Sequence, residues 1–353
     1  MGRNTDQMAI VSMQNNTLII LTLWLFTAST IQGGLSFNPL NWFSSKQEKV
    51  AQLEIANAAE EAEAAAMLEL GINKLEAGRS SSANRVFKKI IKRYPSAQAS
   101  AQAGFLSSQI HMSKGYWVKA FDQLQEITIS HPKYENFNQV VSSQFECATA
   151  LMEGARGRIF GLLPGFKQYG TAIRQFEQIV RNAPYGDYAP LALMNIALIS
   201  KMEGDPEVAL DALDRLINYY PQSMLASDAY YNMAKTYADL VKGEQYDQGS
   251  TRQAISYYED FLILFPESNY LGEVESNLNS MEDLLARSRL SLGDFYYNYR
   301  SNNTAALVYY NEAITLAPES MAAEEARLRI VDIKTGVRPA TGSSIVRKLL
   351  RAE

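Results

Sequence analysis

The sequence predicts an all-α fold built as a tandem array of about five to six helix-turn-helix units. Three observations predict it. A small residue, a large apolar residue four positions on and a proline twelve positions on recur six times. The copies are Ala83/Phe87/Pro95, Ala120/Leu124/Pro132, Ala172/Phe176/Pro184, Ala209/Leu213/Pro221, Ala254/Tyr258/Pro266 and Ala306/Tyr310/Pro318. A glycine stands five residues before the alanine in three of them, at Gly78, Gly115 and Gly204. Around these anchors the apolar residues keep a helical period, as in Phe176/Ile179/Val180 and Leu213/Leu216/Ile217. One internal spacing found six times identifies a repeat.

The spacing has a physical cause. The small position lets the second helix of each unit cross its partner closely. The position four residues on lies on the same face and carries the large side chain that fills the gap. Proline cannot continue a helix and biases the residue before it away from helical torsions, so it closes the unit. In the fourth copy Asp205 is placed as an N-cap and Pro206 as the first helical residue. Packing between repeats is therefore the expected role of Phe87, Tyr258 and Tyr310, and the six alanines and six prolines are counted with them as repeat-packing positions.

The best-written copy runs from Leu292-Gly293, with Tyr296 three residues after the glycine, through Ala306 and Tyr310 to Pro318; Leu70-Gly71 precedes Ala83 in the same way. This pattern resembles the tetratricopeptide repeat, and the resemblance implies a superhelical solenoid. Successive closing prolines lie 37, 52, 37, 45 and 52 residues apart. Two intervals are near the period of that repeat, and three carry insertions.

In chain order, residues 1–33 are expected to be a signal peptide or signal anchor. The apolar run from Leu18 to Phe26 is short for a membrane span, and small residues follow it at Ala28, Ser29 and Gly33-Gly34. Arg3 is the one basic residue before the run, which leaves cleaved and uncleaved readings both standing. Residues 34–60 are expected to be a linker and leading helix. Phe37, Trp42 and Phe43 lie in the linker, and an Ala/Glu-rich helix is expected from about Val50 to Glu69. The repeat domain is placed at 61–335, with its first two units at roughly 67–95 and 103–132. A long helical stretch is expected from about Leu271 to Tyr299. Residues 336–353 form a basic tail in which Ile345-Val346-Arg347-Lys348-Leu349-Leu350-Arg351 is amphipathic.

Composition narrows the function. A formal charge of −5 argues against nucleic acid as the main partner. One cysteine, Cys147, and two histidines, His111 and His131, cannot build a His/Cys zinc site or a disulfide framework. No phosphate loop, nucleophile triad or dinucleotide fingerprint is present, so neither enzyme activity nor a cofactor is expected. Interaction surfaces remain. The insertion in the third unit carries Arg156, Arg158, Phe160, Leu162, Leu163 and Phe166 without helical period. These side chains either pack on the chain's own repeats or dock a protein partner. On the first helices, Phe105, Gln109, Asn195 and Tyr231 are candidate positions in a partner-binding groove.

The unit ends Tyr94-Pro95-Ser96, Tyr220-Pro221-Gln222-Ser223 and Phe265-Pro266-Glu267-Ser268, with the closing unit around Leu284-Leu285-Ala286 and Leu292-Gly293, resemble the BamD (YfiO) family over roughly residues 65–332. That resemblance implies a non-enzymatic scaffold at the periplasmic face of the outer membrane. Its implied partners are the core protein of β-barrel assembly and unfolded outer-membrane proteins. The family's lipobox cysteine has no counterpart after the apolar run, so attachment is expected through the apolar segment or through partners. An adaptor of another envelope system, associated with cell division or Tol–Pal, is the alternative. Such proteins place a coiled coil before their repeats, and Val50–Glu69 is short for one. A carboxylate-clamp role is disfavoured because Leu68 and Ile72 occupy the first-repeat places.

Overall fold

In a computed structural model the chain divides into two units, Met1–Glu54 and Ile55–Glu353. The structure describes residues 58–336 apart from 155–157, 160–162, 165–166 and 244–247, all within the second unit. The expected signal segment, the aromatic linker and the tail beyond Gly336 lie outside the described residues.

Thirteen helices follow one another among the described residues. They are α1 (Ala58–Glu76), α2 (Ser80–Arg93), α3 (Gln98–Ser113), α4 (Trp117–Ser130), α5 (Phe137–Met152), α6 (Tyr169–Asn182), α7 (Tyr188–Glu203), α8 (Pro206–Tyr219), α9 (Ala226–Leu240), α10 (Gln248–Leu264), α11 (Leu271–Asn298), α12 (Asn303–Leu316) and α13 (Met321–Thr335). Each packs chiefly on the helix before it and the helix after it. The first twelve pair into six units and α13 follows the last. The long helix expected before the final unit is α11, 28 residues from Leu271 to Asn298.

The apolar half of the repeat key lies where its spacing placed it. Ala83, Ala120, Ala172, Ala209, Ala254 and Ala306 are fully buried, as are Phe87, Leu124, Phe176, Leu213 and Tyr310, with Tyr258 all but so. The prolines do not, and their expected packing role is corrected. Pro95, Pro132, Pro184, Pro221, Pro266 and Pro318 are all exposed. Each stands two residues beyond the end of a second helix, as Pro95 follows α2 ending at Arg93 and Pro184 follows α6 ending at Asn182. A ring that cannot continue the helix acts through the backbone it stops, and at that place it has turned off the packed face into solvent.

Gly78, Gly115 and Gly204 take φ of +74°, +72° and +78°, the left-handed turn that hands a first helix on to its second. Asp205 caps α8 by accepting from Val208 N at 3.4 Å, with Pro206 opening the helix.

Two further glycines explain the first helices. A β-carbon on Gly71 would lie 2.4 Å from the Phe87 ring, and one on Gly293 would lie 2.5 Å from the Tyr310 ring. The large side chain of the second helix thus sits on bare backbone of the first. This corrects the expected start of the array. The helix leading into the first unit is not separate from it, because α1 itself carries Gly71 and packs against α2. The second unit likewise begins earlier than 103, at Gln98, since Ala97 is already extended and the helix starts directly after it.

Amide side chains fix the order of neighbours inside the array. The Asn182 Nδ2 group donates to Gln125 Oε1 at 2.7 Å and to Gln144 Oε1 at 3.1 Å. The Gln144 Nε2 group donates to Gln125 Oε1 at 2.9 Å. Gln144 is fully buried, so its amide depends on these partners on α4 and α6. Ser107 makes a similar clasp one unit earlier, its hydroxyl oxygen lying 2.9 Å from Gln123 Oε1 and 2.5 Å from Asn84 Oδ1.

Candidate protein-binding surfaces

The first helices are joined edge to edge by polar contacts, at least one for each consecutive pair. Gln98 N on α3 donates to Glu61 Oε1 on α1 at 2.9 Å. The Gln109 amide on α3 donates to Ser143 Oγ on α5 at 3.1 Å, and the Tyr188 hydroxyl on α7 donates to Ser142 Oγ on α5 at 2.8 Å. Lys201 on α7 meets Asp239 on α9, and Lys235 on α9 meets Glu273 on α11, each at 3.7 Å. Arg329 on α13 meets Asp294 on α11 at 3.2 Å. These half-exposed pairs contribute little stability singly. They do set consecutive first helices side by side, which makes one continuous face along the array.

The four groove candidates stand differently on that face. Gln109 belongs to it, with its amide spent on Ser143. Phe105 and Asn195 are half-buried, and the Phe105 ring packs on the central core. Tyr231 is inside. Its ring is buried and stacks on Tyr270 with centroids 4.8 Å apart, while its hydroxyl donates to Glu273 and accepts from Lys235 Nζ at 3.1 Å. An aromatic at an apparent groove position has turned into the packing between α9 and α11.

Of the insertion candidates, Arg156, Phe160, Leu162 and Phe166 lie outside the described residues. Arg158 and Leu163 fall in a two-residue antiparallel pair, β1 (Arg158–Ile159) with β2 (Leu163–Pro164), in the register Arg158↔Pro164 and Ile159↔Leu163. The four described residues of the insertion's middle thus pair as strands, which its aperiodic sequence did not announce.

Sequence reasoning missed a large recess. It has a volume of about 740 Å³ and is walled by Glu61, Ala65 and Leu68 of α1, Gln98 and Gln102 of α3, and the loop from Ser130 to Asn136. The Tyr134 hydroxyl donates to Gln102 Oε1 across one edge. His131 lines both this recess and a second one, of about 420 Å³, bounded by Ile91, Gly104, Lys119, Glu126 and Ile127. Burial pushes the His131 imidazole below its ordinary value, against a smaller opposing effect of the Pro95 backbone hydrogen bond. The only hint was the pairing of His131 with Pro132 where other units have Tyr-Pro, Phe-Pro or Ala-Pro.

Among the described residues no cluster of three or more His, Cys, Asp or Glu is placed to hold a metal ion. Cys147 is fully buried in α5, and burial pushes its thiol up to about 12, so it packs as a small apolar group. No described helix is long and apolar enough to cross a membrane.

Comparison with known proteins matches these elements to named ones. Residues 166–336 match the family described as outer membrane lipoprotein, YfiO, and residues 65–97 match a tetratricopeptide repeat. The outer membrane protein assembly factor BamD of Rickettsia prowazekii (strain Madrid E) is 27% identical over 166 residues, which are 47% of this chain and 66% of that protein. The BamD of Caulobacter vibrioides is 23% identical over 164 residues, 46% of this chain and 53% of that one. The chain thus spans between half and two thirds of the length of these curated relatives. Among solved structures, a thermophilic TPR protein of Thermus thermophilus is 16% identical, covering 62% of this chain and 98% of its own at a TM-score of 0.29.

Proposed function

We propose, from the match of residues 166–336 to the YfiO family, that this chain is a non-enzymatic scaffold at the periplasmic face of the outer membrane, where it helps insert β-barrel proteins. The observation that carries this reading is the likeness to the BamD assembly factors, which continues across the half of the array from α6 to α13. The partners are the core protein of barrel assembly and unfolded outer-membrane chains; nucleic acid is not among them.

The geometry supports a binding role. A continuous face of aligned first helices suits an extended chain or the edge of another domain. The recess beside His131 mixes apolar walls at Ala65 and Leu68 with amides at Gln98 and Gln102. That lining accepts side chains and backbone of an unfolded segment without demanding one sequence. The insertion before α6 is a second docking element, its sequence offering Phe160, Leu162 and Leu163 as apolar contacts and Arg156 and Arg158 as basic ones.

The test is affinity capture of the tagged full-length protein from gently solubilised envelope membranes, with partners read by mass spectrometry. The large β-barrel assembly protein is expected in the eluate. Replacing Phe160, Leu162 and Leu163 by Ser is expected to reduce its recovery while the helical circular dichroism stays unchanged. Recovery of division or Tol–Pal proteins in its place overturns the proposal in favour of another envelope system.

A further inference from the structure

The last helix carries an apolar stripe that nothing in the described structure covers. On α13 the buried side is Ala322, Ala323 and Ala326, with Ile330 and Ile333 partly buried behind them. The opposite side presents Met321, Leu328 and Val331, exposed by 67%, 58% and 54%. Their spacing of seven and then three puts all three on one face of the helix. Each earlier first helix has a second helix of its own unit packed against it, as α11 has α12.

Two features make α13 look like such a first helix. It ends in Gly336 at φ +72°, the left-handed turn that ends α1, α3 and α7. Val337-Arg338-Pro339 then follows that glycine much as Asp205-Pro206 follows Gly204. Beyond it, Ile345, Val346, Leu349 and Leu350 repeat at the i, i+1, i+4, i+5 spacing of one helical face, with Arg347, Lys348 and Arg351 among them.

We propose that residues 345–351 of this chain dock on the Met321–Leu328–Val331 stripe of α13, as the second helix of an incomplete seventh unit. Reach permits it. Residues 337–344 can extend about 26 Å at roughly 3.3 Å per residue, whereas the fifteen residues of α13 rise about 22 Å. Charge favours it too, because Glu319, Glu324 and Glu325 are exposed at the same end of α13 and the docking segment is basic. A segment so placed removes the stripe from solvent and ends the array with charged residues outward, the task of a capping repeat.

A disulfide trap in the full-length protein tests this. Leu328→Cys combined with Leu349→Cys is oxidised mildly and mapped by intact mass and peptide sequencing, with the buried Cys147 left in place. An intramolecular 328–349 bond is expected in most monomers, and none is expected when Val308→Cys on α12 replaces Leu328→Cys. A bond between two copies, an equal yield with Val308→Cys, or no bond at all overturns the proposal.

Hydrogen exchange supplies a second readout. In Leu349→Asp/Leu350→Asp the amides of α13 are expected to exchange about ten-fold faster than in the parent protein, since they lose the packed segment. Unchanged exchange overturns the docking. So does protection of α13 that appears only when phosphatidylglycerol vesicles are added, which assigns the stripe to a lipid surface.

Discussion

The first and last units of the array solve one packing problem and finish it differently. In both, a large ring lies against a bare glycine, Phe87 on Gly71 and Tyr310 on Gly293. Phe87 stops there. Tyr310 goes on to donate its hydroxyl to Asp294 Oδ1 at 2.7 Å, and the same oxygen accepts from Arg329 Nε of α13 at 3.2 Å. Burial, followed by the hydrogen bond to Asp294, pushes the Tyr310 phenol far above its ordinary range, so it remains a donor throughout the physiological span. The difference teaches what each position is for. Ring on glycine closes a unit. The added hydroxyl fastens a closed unit to the helix that follows it, and it is used where the array must hold α13.

Breaking the shared part should have the largest effect. Gly71→Val and Gly293→Val each place atoms where the ring now sits, and each is expected to cost about 3 kcal/mol in chemical denaturation. Equal losses confirm one key at both ends; a loss confined to one end breaks the comparison. The unshared part should matter less. Tyr310→Phe makes the last unit resemble the first and is expected to cost about 1 kcal/mol, with α13 showing the greatest gain in hydrogen exchange. The smallest effect should come from outside both units, at His131. Burial holds its imidazole below the ordinary histidine value, so the folded chain binds fewer protons than the unfolded one. Stability is then full above about pH 6.5 and declines as pH falls below it. His131→Gln should reduce the fall of the melting temperature between pH 7 and pH 5, leaving the part that half-buried His111 contributes in the same direction.

The pairing of alanine with a large residue was legible because it repeats inside single helices, where period and position coincide. The prolines were legible as stops for the same reason, yet not as exposed residues, since Pro184 and its counterparts are seen to leave the core only once the turn after the helix is built. Asp205 and the left-handed glycines depend on two or three adjacent residues and could be read directly. The contacts between first helices could not. Lys201 finds Asp239 across 38 positions, and Ser142 finds Tyr188 across 46 with an insertion between them. Tyr231 shows the same limit at one residue. Its place on a first helix suggested a groove, but only the neighbouring Tyr270 and Glu273 decide that it turns inward. Gly71 was read into the first unit, but the Ala/Glu-rich stretch before it was read as a separate leading helix, although one helix, α1, runs through both and meets Phe87 at Gly71.

Packing of each helix on its immediate neighbours also decides how the chain acquires its structure. Closing the first unit needs only the stretch from Ala58 to Arg93, and the ring of Phe87 finds Gly71 within it. Such short loops keep the entropic barrier low, so ordering can start at any unit and spread in both directions. Damage should travel by the same rule. A lesion in one unit melts outward from that point, and the far end of the array keeps its structure until the front arrives.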